Sequence, residues 1–533
     1  MRGRHDAIVI GSGLEEMVAA GNLAAEGLRV LVLEPSESAG GAAASAELLP
    51  GFRVDPVFAD AGFLDPRALR DLAPERHGLA LLSPDPVLSA PAAGGGEPLV
   101  LWRDAGKTRA SIARRSPADA ARWASFADRM ATFAAILEET AALPAMRPAG
   151  PLRELAPFLG LGRRVRALGR ERMTELFRVL PLPAADLLDD SFDDDLLKGA
   201  LGALAVHGVF QGPRSPGTSL SLLHLHVGSP RGAFGVRTVV RGGTGALAAA
   251  LAAAARQRGV EIRCAAPVER ILVEKGRAVG VSLAGGAEIP ARSVLSGADP
   301  ARTLLDLAGT TYLDPDFVHA LRMIRFRGGY ARVHLALSEL PRFEGLTEAP
   351  QGLIVLAPDL DAVERAYDDA KHGAASGRPV LEARIPSLAD PSLAPEGQHV
   401  MSIDVRFVPV GEAGSKAAGA PRAGAAADAL GERVVALLAV HAADLPGAIL
   451  AREVVMPADL EARYGWSGGD PFHGELALDQ LLFMRPVPGW SGHRTPIDSL
   501  YLCGPGTHPA TAITGASGRH AATAMLVDRE GSP

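Results

Sequence analysis

The chain has 533 residues, 47% apolar and 22% charged, with a formal net charge of −7. That length exceeds what one hydrophobic core organises, so two or more packed regions are expected. The negative charge and the lack of any Lys/Arg run exclude a nucleic-acid footprint, and the Ala/Leu run at 246–255, ended by Arg256, is too short to cross a bilayer.

The N-terminal Met1-Arg2-Gly3-Arg4-His5 leads straight into Asp6-Ala7-Ile8-Val9-Ile10-Gly11. The apolar run is too short for a signal peptide and is followed at once by turn glycines, so a buried first strand is predicted. Residues 6–34 read strand, glycine turn, helix, strand, and such continuous apolar strands suit a parallel sheet covered on both faces. Residues 91–98 read as a loop. Ser116-Pro117 opens a helix, with Ser as N-cap and Pro in the first turn, and Trp123, Phe126, Met130 and Phe133 form its core stripe. Residues 150–225 are mostly helical by pattern. The acidic run Asp189–Asp195 reads as a solvated helix start, since it lacks Ca²⁺-loop spacing. His224 and His226, spaced i, i+2, suit a strand and a structural role, and HExxH is absent, so no metal site is predicted. From 238 onward come short strands with tight turns at Lys275-Gly276 and Gly285-Gly286, a block that returns to the first sheet. Residues 330–410 alternate strands and loops, and the Gly/Ala-rich stretch 411–427 reads as a flexible loop before a helix near 428–442.

Cys264 and Cys503 are the two cysteines. No close pair exists, which excludes a redox-active CxxC disulfide and a thiolate zinc site and fits a reducing, cytoplasmic compartment.

Chemistry enters with Gly11-Ser12-Gly13-Leu14, which follows a strand and opens a helix, and with Glu34, 21 residues after Gly13, at the end of the next strand. The first glycine permits the tight turn and the second lets a pyrophosphate approach the backbone. The helix N-terminus offers amide donors, and the acid accepts from a ribose. Gly40-Gly41 follows six residues after Glu34, where the chain is expected to cross the cofactor. Position 16, the third glycine of such a fingerprint, is Glu16. A carboxylate there is expected either to turn outward, with a small helix shift, or to repel the pyrophosphate.

Three segments carry a resemblance: Asp6–Gly41; Arg241–Pro300, with Gly242-Gly243-Thr244-Gly245 and Gly297-Ala298-Asp299-Pro300; and Leu500–Pro509. Together they resemble the phytoene desaturase and carotenoid oxidoreductase family of FAD enzymes. Gly469–Leu476 and Phe483–Trp490 bring the chain nearest to the group named pyridine nucleotide-disulfide oxidoreductase domain-containing protein 2. The resemblance implies an α/β fold: a Rossmann-like FAD-binding domain of glutathione-reductase type, amine-oxidase-like, with an inserted α+β substrate domain. Its expected division assigns 1–70, 235–300 and 495–533 to FAD, and 71–234 and 301–494 to substrate. The implied cofactor contacts are Gly11, Ser12, Gly13, Leu14, Glu34, Gly40 and Gly41, with Val268 at the adenine, Gly504 and Thr507 at the ribityl or pyrophosphate part, and Gly515-Ala516 at the flavin's oxygen edge.

The function so implied is hydride transfer between flavin and a hydrophobic, alkene-bearing substrate. An apolar substrate favours peripheral membrane contact, although no strongly amphipathic basic helix stands out. If an acid or base is needed, Glu475, Asp479, Arg485 and His508 are the candidates. Two other readings stand beside it: an amine-oxidase-like flavoenzyme, and a flavin-poor regulatory or interaction protein. Glu16 favours the last, as does Ala510-Thr511-Ala512-Ile513, which replaces a family glycine run.

Overall fold

The computed structural model describes residues 5–58, 60–70, 72–145, 156–230, 233–409, 423–510 and 515–530. Two seven-stranded sheets organise it. The first runs Val268–Glu274, Arg277–Leu283, Glu288–Ser296, His5–Ile10, Val30–Leu33, Glu261–Arg263, and Leu500–Leu502 also pairs with Glu288–Ser296. Its centre is parallel: Ile8 pairs with Val294 and with Leu31, and Val294 with Leu500. The apolar centre of these strands is buried, Ile8, Val9, Leu31 and Val32 to 0% exposure, because helices cover the sheet. On one face lie the first helix, Leu14–Ala25, the helix Thr244–Gln257 and the C-terminal helix, Ala516–Glu530.

The second sheet is mostly antiparallel. It joins Ile449–Val455, Ala331–Leu337, His399–Val405, Leu381–Arg384, Leu353–Leu356, Leu88–Ala90 and Leu99–Leu101 in that order. A helical layer packs on it. Ser116 caps Pro117–Ala142 by accepting from the Asp119 amide at 3.2 Å, and Trp123, Phe126, Met130 and Phe133 enter a large apolar core with Phe192 and Phe234. The acidic run starts a helix: Asp194 caps Asp195–Leu204, and buried Asp119 accepts from the amides of Asp193 and Asp194.

Several expectations are corrected. His224 and His226 lie in the last turn of a helix, Thr218–His226, not a strand; the buried leucines around them set a helical packing that the i, i+2 spacing does not reveal. The helix predicted near 428 already begins at Ala423, since its alanines propagate the helix, and 410–422 lies outside the described residues. Within 330–410 a helix, Leu360–Lys371, interrupts the strands, capped by Asp359.

Candidate functional site

The two glycine turns meet through sheet register. The strand ending in Ile10 and the strand ending in Leu502 flank the strand ending in Ser296, so the turns lie two strand spacings apart, ~10 Å. Gly11 takes φ +94° and donates to Leu33 O at 2.8 Å. Gly297 N donates to Ile10 O at 2.9 Å, and Cys503 N to Ser296 O at 2.9 Å. A Cβ on Gly504 would collide with the Gly297 carbonyl, which fixes glycine at that position.

Around the first turn the polar groups are already organised. Ser12 Oγ donates to Glu34 Oε2 at 2.5 Å and accepts from Gly40 N at 2.8 Å, while Ser36 N donates to Glu34 Oε1 at 2.9 Å. Gly41, at φ +53°, folds over the turn so closely that a Cβ would stand 3.3 Å from Gly13 N. Backbone bonds from Ala266 N to Glu34 O and from Ala265 N to Ser36 O bring the strand that starts at Val268 to the acid's end of the cradle.

Glu16 does not turn outward. It is buried against Gly11, Gly13 and Gly297, and its carboxyl accepts from the amides of Gly13 and Glu16 itself. Burial, with Glu15 and Glu34 nearby, pushes its pKa up to about 8, so near pH 7 the group is mostly neutral. The charge repulsion feared from the sequence is therefore largely absent there, and a protonated carboxyl can donate to a phosphate oxygen. The cradle a Cβ would fill, the helix-start donors and the buried acid at Glu34 fit a dinucleotide, with Glu16 narrowing its phosphate end.

At the second turn, Thr507 Oγ1, Ser517 Oγ and Gly504 O form a triangle in which one hydroxyl donates to the carbonyl and the other donates to that hydroxyl, the two side chains 2.5 Å apart. Sequence reasoning missed Glu15, which spans 500 positions: its carboxylate accepts from Gly515 N at 2.9 Å and Gly518 N at 2.8 Å, clamping the start of the last helix to the first. The Gly515 amide, expected to face a flavin, is thus committed to Glu15. Ala510 holds φ +69°, a left-handed conformation at a place where the resembling family has glycine; 511–514 lie outside the described residues.

Ala516 and His508 line a mainly apolar cavity of about 200 Å³ with Phe58, Leu225, Phe472 and Leu481. It shares Leu137, Thr140, Leu180, Leu482 and His508 with a larger open apolar groove between the helices Pro117–Ala142, Ala156–Ala167 and Gly169–Val179.

The four candidate acid–base residues separate. Glu475 is fully buried between Arg325 at 3.0 Å and Arg327 at 2.9 Å, and Asp479 pairs with Arg325 at 2.6 Å. Arg485 donates to the carbonyls of Phe472, Gly474, Glu475, Gln480 and Pro505, tying that loop to the second glycine turn. None of these three lines the cavity. His508 does; its Nε2 donates to Leu143 O at 3.1 Å, its Nδ1 has no partner among the described residues, and burial lowers its pKa to about 4.

The sequence reading also missed a buried charge cluster beside the cavity, of which Arg332, Arg384 and Asp404 form part of the wall. Arg332, Glu382, Arg384, Asp404 and Arg406 rise from three adjacent strands, where Arg332 and Glu382 both register with Asp404. The available signal was charged residues at i, i+2 inside apolar strands, Glu382/Arg384 and Asp404/Arg406.

Comparison with known proteins agrees with this geometry. Residues 9–62 match the model of the NAD(P)-binding Rossmann-like domain, and residues 183–526 match that of the flavin containing amine oxidoreductases. The chain is 33% identical to pyridine nucleotide-disulfide oxidoreductase domain-containing protein 2 of Mus musculus, over 99% of this chain and 94% of that protein. It is 26% identical to the neurosporene-forming phytoene desaturase of Cereibacter sphaeroides, over 98% and 94%. Cyclohexylamine oxidase from Brevibacterium oxydans shares the fold at a TM-score of 0.56 and 13% identity, covering 99% of this chain and all of that one (100%). The chain belongs to the flavin containing amine oxidoreductase family and is an FAD-dependent oxidoreductase.

Proposed function

We propose that the protein exchanges a hydride with a hydrophobic, alkene-bearing substrate bound in the cavity beside Ala516 and His508. The observation that carries the reading is the mainly apolar cavity that shares five lining residues with an open apolar groove, together enough apolar wall for a long carbon skeleton. The desaturase likeness supports the same class. We assign the strands of the first sheet, with their helices, to cofactor binding and the second sheet with its helical layer to substrate binding.

When bound, FAD supplies the hydride-accepting or hydride-donating centre. The chain's own residues do the rest. Gly11, Ser12, Gly13, Leu14, Gly40 and Gly41 would hold the pyrophosphate, with Glu34 at the ribose, Val268 at the adenine, and Gly504, Thr507, Gly515 and Ala516 at the ribityl–ring part. The leucines and phenylalanines of the cavity exclude water and align the substrate. His508, neutral near pH 7 and fixed by its Nε2 bond to Leu143 O, forms part of the cavity wall, while Glu475, Asp479 and Arg485 hold the loop beside it.

The test is anaerobic mixing of the purified protein with apolar alkenes and, separately, with soluble amines, following the visible flavin spectrum. Bleaching by an alkene and not by amines supports the proposal. Bleaching by amines alone favours an amine oxidase and rejects it.

A further inference from the structure

We propose that the cavity is built for an amphiphile: an apolar body with a carboxylate head, the head seated on Arg237 and Arg384. The inference rests on the cavity being the substrate site and adds the chemistry of one end of the ligand.

The observation is a buried cluster whose charges are unevenly paired. Asp60 lies between Arg237, Nη2 to Oδ1 2.8 Å, and Arg384, Nη2 to Oδ2 2.9 Å. Asp404 pairs with Arg332 at 2.6 Å and stands 4.0 Å from both Arg384 and Arg406. Glu382 pairs with Arg406 at 2.8 Å. Arg237 and Arg384 thus share the single carboxylate of Asp60, while Arg332 and Arg406 each have an acid of their own.

The neighbouring groups do not supply the missing charge. Arg406 Nη2 donates to His207 Nδ1 at 2.6 Å; an arginine can only donate, so that nitrogen is an acceptor and the ring is neutral. Burial pushes the Tyr330 hydroxyl up to about 12 and His224 down to about 4, so both are uncharged near neutral pH. Asp55 turns its carboxylate to Ser45 Oγ and Thr244 N, at the start of the helix Thr244–Gln257, and within the cluster its charge acts on Arg332, leaving Arg237 and Arg384 to share Asp60. Asp65 is held by Arg67 at 3.3 Å and lies 4.0 Å from Arg519. Glu138, on the helix Pro117–Ala142, lines the cavity beside Leu137 and Thr140, but the ion pairs of Arg237 and Arg384 among the described residues go to Asp60 and Asp404 and not to it.

Donors are also left over. Arg237 spends Nε and Nη2 on Asp60, and its Nη1 has no hydrogen bond among the described residues. Arg384 Nη1 is beyond hydrogen-bond distance of Asp404. Both arginines and Asp60 line a cavity whose remaining wall is mainly apolar. An uncompensated buried cation is costly unless an anion joins it, and a guanidinium pair with free donors matches a carboxylate's two oxygens.

The test compares equilibrium binding of oleic acid and oleyl alcohol to the protein as purified, with flavin content measured separately. The proposal expects a preference of about tenfold or more for the acid, reduced to about twofold or less in Arg384→Gln and partly restored in Arg384→Lys. Equal binding of acid and alcohol by the unmodified protein, binding of neither, or a preference that survives Arg384→Gln overturns it. The first comparison needs no variant, so it decides the matter even if Arg384→Gln misfolds. A colourless protein that still prefers the acid would reject the flavin chemistry and keep the anion site; a flavin-loaded protein without the preference would do the reverse.

Discussion

Glu16 decides how the phosphate end of the cradle behaves. Its carboxyl is protonated in the folded chain up to about pH 8, whereas an unfolded glutamate ionises near its ordinary value of 4.5. The folded state therefore holds one more proton across that interval. Its contribution is fully present below the unfolded value and is lost as pH rises through 8, at ~1.4 kcal/mol per pH unit of difference. Thermal unfolding of the FAD-free protein should thus show stability declining from pH 5 to 8, and Glu16→Gln should flatten that decline; an unchanged slope would place the proton elsewhere. The same ionisation sets a negative charge against the pyrophosphate, so FAD affinity should fall about tenfold between pH 7 and 9 in the parent chain and hold in Glu16→Gln. Cys503, its thiol pushed far up by burial and by Glu15 and Glu16, stays protonated over that range. Position 16 was visible in the sequence as a broken fingerprint. The direction of its side chain was not, because that depends on Gly13 and Gly297 leaving a gap that only coordinates reveal.

At the scale of elements, the first and last helices are joined by one carboxylate. Glu15→Ala removes the acceptor for Gly515 N and Gly518 N and leaves buried donors unpaired, at a cost of about 1–3 kcal/mol. Urea unfolding should show a lower midpoint with an unchanged slope, and a midpoint equal to the parent's would contradict the clamp. Arg485→Lys trades a planar fork serving five carbonyls for a single ammonium and should lower the midpoint by a comparable amount without changing the visible flavin spectrum. A shifted spectrum would mean that the side chain reaches the flavin, which its burial behind Pro505 argues against. Helix starts at Ser116 and Asp194 and the stripe from Trp123 to Phe133 were readable because capping and 3.6-residue periodicity are local rules. The Glu15 clamp and the helix around His224 were not, since long-range packing sets them.

For the whole molecule, the glycine turns were legible at both ends of the chain, and parallel register through Glu288–Ser296 explains why they converge. The charge cluster was illegible as a unit. Arg332, Glu382 and Asp404 are brought into register by the second sheet, and Asp60 and Arg237 join them from loops far away in the chain. The proposed function joins a dinucleotide cradle to an apolar cavity through the start of the last helix, where Ala516 lines the cavity. The measurement that bears on it most directly is the FAD content of the freshly purified protein, read from its visible absorbance and by release on denaturation. One FAD per chain, retained through gel filtration and lost when bulk is placed over the turn by Gly41→Val, is the result expected. A colourless protein that takes up no FAD on titration at pH 7 would contradict the account.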